Sequence, residues 1–280
     1  MKKATRKRLT VLLMAICLFS TAMFLNQLLD NSAVKEASES ALHLATSQES
    51  AVPEPVIQAM AAEIPETTAP PEPIWIPETV PQDDPSLPQL QEIDLAALQA
   101  ENPDVIGWIF LPDTYINYPI TQGQDNEHYL KHAWNGVATS AGSIFMESMN
   151  TPDFTDFNTI LYGHNMMTGI MFGNLRRFSI PGYWEGHPYV YILTPENIFR
   201  YEIFAAYQAP VDSSTYGLSF NQIQTRINFL EHAAEKSVID TGIHPEVTDR
   251  ILTLSTCTGG GYESRWVVQA RLKMIRTEVN

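Results

Sequence analysis

The first long hydrophobic signal is a run, not a period. Residues Leu9 to Leu29 are largely apolar and carry no charge, about 21 residues and roughly 30 Å as a helix, enough to cross a bilayer. A Pro-rich stretch without periodicity follows, and order is expected from near Leu90. Ile93, Leu95, Ala96, Ala97 and Leu98 read as a short helix ending before Pro103. Beyond it come short runs rich in β-branched and aromatic residues, parted by Pro, Gly, Asn or Asp. They are Val105–Phe110, Tyr115–Ile120, Ser143–Met146, Thr159–Tyr162, Tyr189–Leu193, Ile198–Tyr207, Arg250–Ser255 and Trp266–Leu272. One amphipathic helix interrupts them: Ser219 is placed to cap it, and Phe220, Ile223, Ile227, Leu230 and Ala234 recur at intervals of three and four. About eight strands with few helices predict a mainly β domain, a barrel or a sandwich.

Charge orients this layout. The net charge of the 280 residues is −15, yet Lys2, Lys3, Arg6, Lys7 and Arg8 all precede the first acidic residue, Asp30. Without those five cations, 12 basic residues face 32 acidic ones. The cationic flank predicts a cytoplasmic tail at 1–8, a membrane-spanning signal-anchor at 9–29, and everything later outside the cell. A cleaved signal peptide is the rival, but its usual core is shorter and no clear small-x-small site follows. Ile16 before Cys17 is too large for the usual lipidation site. So acidic a body repels nucleic acid and anionic headgroups, which excludes nucleic-acid partners. Residues 30–89 are expected to be an extracellular stalk, because ten of the 19 prolines lie between Pro53 and Pro88 among Glu, Ala and Thr. An early part, roughly Ser32 to Leu44, has helical character. The folded domain is placed at 90–275.

Candidate chemistry gathers at three places. Cys257 ends the strand-like Ile251–Leu254 stretch and opens onto Gly259, Gly260 and Gly261. Cys17 lies in the apolar run, so Cys257 has no disulfide partner within one chain. An unpaired thiol outside the cell is either a small buried hydrophobe or a reactive group. His164 follows Leu161-Tyr162-Gly163, where a strand breaks at glycine and presents an imidazole able to move protons near neutral pH. The other six histidines sit in helix, loop or stalk contexts. Arg265 stands just before Trp266-Val267-Val268; a strand returning antiparallel to Ile251–Ser255 brings it beside Cys257, where its donors suit a developing oxyanion or a backbone carbonyl. A surface arginine paired with Glu263 is the plainer reading. No CxxC, HExxH, EF-hand loop, phosphate loop or G-x-S-x-G pattern is present, so no metal and no cofactor are expected.

In their order, Leu161-Tyr162-Gly163-His164-Asn165, Thr253-Leu254-Ser255-Thr256-Cys257 and Arg265-Trp266-Val267-Val268 resemble the sortases, class B in particular. The likeness runs from about Asn102 to Leu272, through Asn117-Tyr118-Pro119-Ile120, Asp125-Asn126 with Tyr129-Leu130, and Gly142-Ser143-Ile144-Phe145. It implies an eight-stranded β-barrel with a few added helices and a cysteine transpeptidase that cuts a C-terminal sorting signal, Asn-Pro-x-Thr-like, of a secreted protein. By the same likeness Cys257 is the nucleophile, His164 the acid and base, and Arg265 the stabiliser of the tetrahedral intermediate. Asn126, Leu130 and Ser255 are expected to contact the signal peptide. The acceptor is expected to be an amine of a peptidoglycan precursor or a pilin lysine. Class B relatives carry a Tyr-Glu-Phe-like run soon after the cysteine, where this chain has three glycines. Two alternatives use the same residues differently: a cell-surface cysteine peptidase that yields acids, and an anchored binding module with Cys257 buried.

Overall fold

A computed structural model describes residues 21, 32–33, 35–46, 77–257 and 263–277, the side chain of Cys257 excepted. The expected span at 9–29, apart from Thr21, and the loop at 258–262 lie outside the described residues. Among the described residues no helix is long and apolar enough to cross a membrane.

The strands are β1 (Glu78–Thr79), β2 (Val105–Phe110), β3 (Asn117–Thr121), β4 (Ile144–Met146), β5 (Asn158–His164), β6 (Tyr189–Leu193), β7 (Ile198–Pro210), β8 (Ile251–Cys257) and β9 (Ser264–Arg276). They hydrogen-bond in the order β1-β9-β7-β6-β2-β3-β4-β5-β8, and a further β8–β9 pairing joins the ends. Strands β2 to β9 thus form a closed eight-stranded barrel, with β1 running parallel to the end of β9. Closure removes the open edges that would otherwise template other chains. Strand period two sorts the side chains. Leu252, Leu254, Val268, Ala270 and Leu272 point into the barrel core with Ile109, Ile120, Ile144, Leu161 and Ile192. Ile251 and Val267 belong to the outer layer with Phe204 and Tyr207.

That outer layer is covered by the long helix, which runs Ile223–Lys236 from an N-cap at Gln222, not from Ser219. Its buried face is Phe229, Leu230 and Ala233, while Ile223 and Ala234 of the expected stripe are exposed. Phe220 precedes the helix and packs against Phe157 at a tilt and edge-on to Phe229. The apolar spacing therefore reflects two contacts, a pre-helical aromatic and a short helical stripe, and only the second is periodic.

The folded body also takes in sequence assigned to the stalk. A helix at Leu87–Gln91 has Pro88 in its first turn, where a missing N–H costs nothing. A second at Leu95–Glu101 is capped by Asp94, whose Oδ1 accepts from Ala97 N at 3.0 Å. Leu87, Leu90, Leu95 and Leu98 pack with Trp108 and Trp134 on the outside of the barrel. Residues 35–46 are helical and join the same cluster through Ala37, Ala41 and Ala45. The Trp134 indole donates to the Ala37 carbonyl at 2.8 Å, and Asp94 N to the Ala45 carbonyl at 2.6 Å. The boundary therefore falls before residue 90, because local apolar anchors outweigh a proline-rich composition.

One polar anchor holds this layer. Asp84, 5% exposed, accepts from Arg200 Nη1 at 2.8 Å, from the Tyr191 hydroxyl at 2.9 Å and from Ser86 N at 3.0 Å. Removing it leaves a largely buried guanidinium uncompensated. Asp84→Ala is expected to lower the unfolding free energy by about 3–5 kcal/mol, read by urea denaturation; a loss under about 1 kcal/mol would show that residues 77–91 are not part of the cooperative unit.

Candidate active site

The three predicted side chains come from neighbouring strands at one end of the barrel. β5 and β8 are parallel and in register from Asn158↔Ile251 to His164↔Cys257, so His164 is the backbone partner of Cys257. β8 and β9 are antiparallel, with Ser255↔Val267 the last pair. Two residues further, the same register sets Arg265 opposite Cys257, and Trp266 N donates to Thr256 Oγ1 at 3.1 Å across that gap. The backbone of Cys257 is thus flanked by His164 on one side and Arg265 on the other. His164 and Arg265 are both half-buried.

Each flank is held differently. The His164 Nε2 lies 2.7 Å from the Leu130 carbonyl oxygen. A carbonyl only accepts, so Nε2 carries the proton in this contact. The Leu130 carbonyl is itself fixed by the turn around it. Asp125 Oδ1 accepts from Glu127 N and His128 N, both at 2.9 Å, which closes the short 3-10 turn His128–Leu130. These amides hold the Asp125 carboxyl below the usual carboxylate range. Tyr129 is buried, with its hydroxyl donating to Asp104 at 2.8 Å and accepting from Asn102 at 2.9 Å. Burial, with the Asp104 carboxylate adding to it, pushes that phenol up to about 12. Gly142 returns the loop at φ 58° close under the Tyr129 and Leu130 backbone, a site with no room for a Cβ. The Asp125-Asn126 and Tyr129-Leu130 pieces of the sequence pattern are therefore the frame that aims the imidazole.

The Arg265 guanidinium is held more loosely. Its Nη1 donates to the Thr256 carbonyl at 3.5 Å, the outer limit of a hydrogen bond. It makes no ion pair with Glu263 among the described residues.

Beside these groups lies a cleft of about 210 Å³ lined by Asn126, Leu130, Phe145, Tyr162, Val211, Tyr216 and Arg265. Asn126 and Leu130, expected to meet a peptide, do face this cleft. Ser255 does not reach it. It has no exposed surface, and its hydroxyl bonds the Tyr216 hydroxyl at 3.0 Å. Tyr216, from the segment after β7, lies between Ser255 and the cleft that it lines. Tyr162, Val211 and Tyr216 were not foreseen, and neither was Glu147. This glutamate follows the apolar strand Ile144–Met146 and is 7% exposed, and no local pattern in the sequence marks it as buried. Among the described residues no cluster of His, Cys, Asp and Glu is arranged to hold a metal ion.

A closed barrel of eight strands, with a strand-end cysteine flanked in register by histidine and arginine, matches one known family. A model described as the Sortase domain matches residues 109–273. Sortase B of Listeria monocytogenes is 38% identical over 181 residues, covering 64% of this chain and 74% of that protein. Sortase B of Staphylococcus aureus is 33% identical over 178 residues, covering 63% of this chain and 73% of that one. Among solved structures, a Staphylococcus aureus sortase B–substrate complex superposes with a TM-score of 0.61 at 32% identity, covering 66% of this chain and 84% of its own. The chain belongs to the sortase family of cysteine transpeptidases. Within that family it falls in class B, as the resemblance implied.

Proposed function

We propose that this chain is a membrane-anchored class B transpeptidase in which Cys257, His164 and Arg265 form one catalytic unit. The supporting observation is the shared register of those residues on β5, β8 and β9, at the mouth of a cleft sized for a short peptide segment. The Cys257 thiol passes its proton to the His164 imidazole as its sulfur attacks the threonine carbonyl of an Asn-Pro-x-Thr-like sorting signal. Carbon–sulfur bond formation creates a tetrahedral oxyanion, which the Arg265 donors meet. The carbon–nitrogen bond breaks as His164 protonates the leaving amine, and a thioester remains. An incoming amine then attacks the thioester, His164 takes its proton, and the thiolate leaves. The acceptor amine is that of a peptidoglycan precursor or of a pilin lysine. The apolar run 9–29 is the membrane anchor, with residues 1–8 in the cytoplasm and the catalytic domain outside.

Incubating the chain with a sorting-signal peptide, with and without an amine such as triglycine, tests this by mass spectrometry. The expected result is an acyl adduct on Cys257 and an amide product only when amine is present. Acid product at the same rate with or without amine would convert the reading to a peptidase; no adduct would remove it. Arg265→Ala is expected to lower kcat by about 100- to 1,000-fold with a smaller change in KM, the usual cost of removing a transition-state donor. Arg265→Lys should restore little, since an ammonium lacks the planar fork. A near-normal kcat for Arg265→Ala would take the arginine out of the mechanism.

A further inference from the structure

The helix ahead of the barrel is tied to the wall that frames His164. Residues 32–33 and 35–46 are helical, and Ala37, Ala41 and Ala45 turn one buried stripe onto the folded body. The first turn of that stripe meets the catalytic end. Ala37 and Ser38 share a narrow gap with Tyr118, Trp134, Gly142 and Met171. Gly142 packs under the Leu130 backbone, whose carbonyl holds the imidazole. Met171 pairs with Asn165, the residue after His164, and its N–H donates to the Tyr118 hydroxyl at 3.2 Å. The Trp134 indole clasps the Ala37 carbonyl. The last turn is tied elsewhere, through the Ala45 carbonyl and Asp94 N.

Chain length turns this contact into a constraint. Seven residues separate Leu29, the end of the apolar run, from Ala37. Even fully extended, such a link reaches roughly 25 Å. The 13 residues of β9 alone span roughly 40 Å, so the link is shorter than the barrel is long. The Pro-rich sequence lies on the other side of the docked helix. Residues 47–76 start after Thr46 and end before Pro77, and Ala45 ahead of them packs in the same cluster as Val80 behind them. Their length therefore adds nothing to the distance between bilayer and barrel. A spacer running from 30 to 89 would instead reach on the order of 190 Å in extended form. The catalytic end also exposes Tyr115, in the turn between β2 and β3, and Met167, three residues past His164. Glu196 marks the opposite end: it is exposed in the β6–β7 turn, where Ile198 pairs with Arg276 at the close of β9.

We propose that the docked helix is a strut that turns the catalytic end of the barrel toward the bilayer and holds Ala37 within roughly 25 Å of it. The partner of this end is the lipid surface, and the Pro-rich sequence supplies no stand-off from it. The inference rests on the membrane anchor proposed at 9–29 and is independent of the catalytic roles.

The test uses the full chain reconstituted in phosphatidylcholine vesicles that carry a headgroup-linked energy-transfer acceptor. A donor dye is attached through Met167→Cys at the catalytic end or Glu196→Cys at the opposite end, in a chain with Cys17→Ala and Cys257→Ala. Transfer should be at least about twofold greater from position 167, because the strands set the two positions roughly 30 Å apart. Deleting residues 51–60 should leave both values unchanged, whereas shortening a stalk would raise both. Ala41→Glu forces a carboxylate into the fully buried face of the helix; it should undock the helix and erase most of the difference. If that variant does not fold, the parent pair and the deletion decide alone. Equal or reversed transfer in the parent chain, a rise after the deletion, or a difference that survives Ala41→Glu overturns the proposal. A chain that fails to float with the vesicles removes the anchor reading and this inference with it. A chain that floats and shows equal transfer removes this inference alone.

Discussion

Cys257→Ala is expected to abolish turnover, with a fall in kcat of about a millionfold or to the detection limit, while the melting curve stays near that of the parent chain. The size follows from the chemistry. Without sulfur there is no thioester, and the remaining groups would have to support direct amine attack on an unactivated amide. Where nucleophile and base act as one unit, deleting either removes nearly all of the rate they share. The stability expectation follows from position. Cys257 is the last residue of β8, its pairing with His164 is backbone to backbone, and alanine keeps that pairing. Mass spectrometry after exposure to peptide checks the chemical half: the parent chain should gain the acyl mass and the variant should not. Retained amide exchange in Cys257→Ala would exclude the proposed nucleophile. Cys257→Ser is the sharper companion, since it preserves size and a hydrogen-bonding atom but offers a far weaker nucleophile at neutral pH. It too should be inactive.

Much of the barrel was legible because its strands are short and alternate. β2 and β6 appear at the expected residues, while β5, β7, β8 and β9 each run on by one or more residues. The extensions carry two of the residues proposed to react: β5 reaches His164 and β8 reaches Cys257. A reading by apolar runs stops early there, because Gly163, Thr256 and the polar site residues break the pattern while backbone pairing continues. The N-terminal boundary was misjudged for the opposite reason. Prolines dominate residues 53–88 by count, yet Asp84, Leu87 and Leu90 are single anchors whose partners, Arg200, Tyr191 and Trp108, lie far along the chain. Composition averages over such anchors, and only tertiary structure pairs them.

At the site the same division holds. The three residues proposed as catalytic stood out because each sits at a strand end in a recognisable local pattern. Glu147 was not, since nothing local distinguishes an acid that will be buried from one that will be solvated. Its environment is assembled from Asn126, 21 residues earlier, and Tyr162, 15 residues later. Ser255 was misplaced because strand proximity to Cys257 says nothing of what covers it, and Tyr216 arrives from the segment after β7. Sequence order picked out the residues proposed to react; the lining of the cleft comes from contacts between separate elements.

His164→Ala is expected to lower kcat/KM by about 1,000- to 10,000-fold. The argument rests on the contact with the Leu130 carbonyl. That bond commits Nε2 to donation and fixes the ring, and in the proposed mechanism the same imidazole gives a proton to the departing amine and takes one from the incoming amine. Two proton transfers in opposite directions are then served by one ring, so its loss should slow both thioester formation and aminolysis. Pre-steady-state measurement separates the halves: acyl-adduct formation and its decay with amine should both slow in His164→Ala. A variant slowed only in adduct formation would assign His164 to leaving-group protonation alone. Nitrogen-15 spectra of the histidine ring provide the structural check, because the contact with the Leu130 carbonyl requires a proton on Nε2. An Nδ1–H tautomer in the resting chain would mean that the Leu130 carbonyl does not fix the ring.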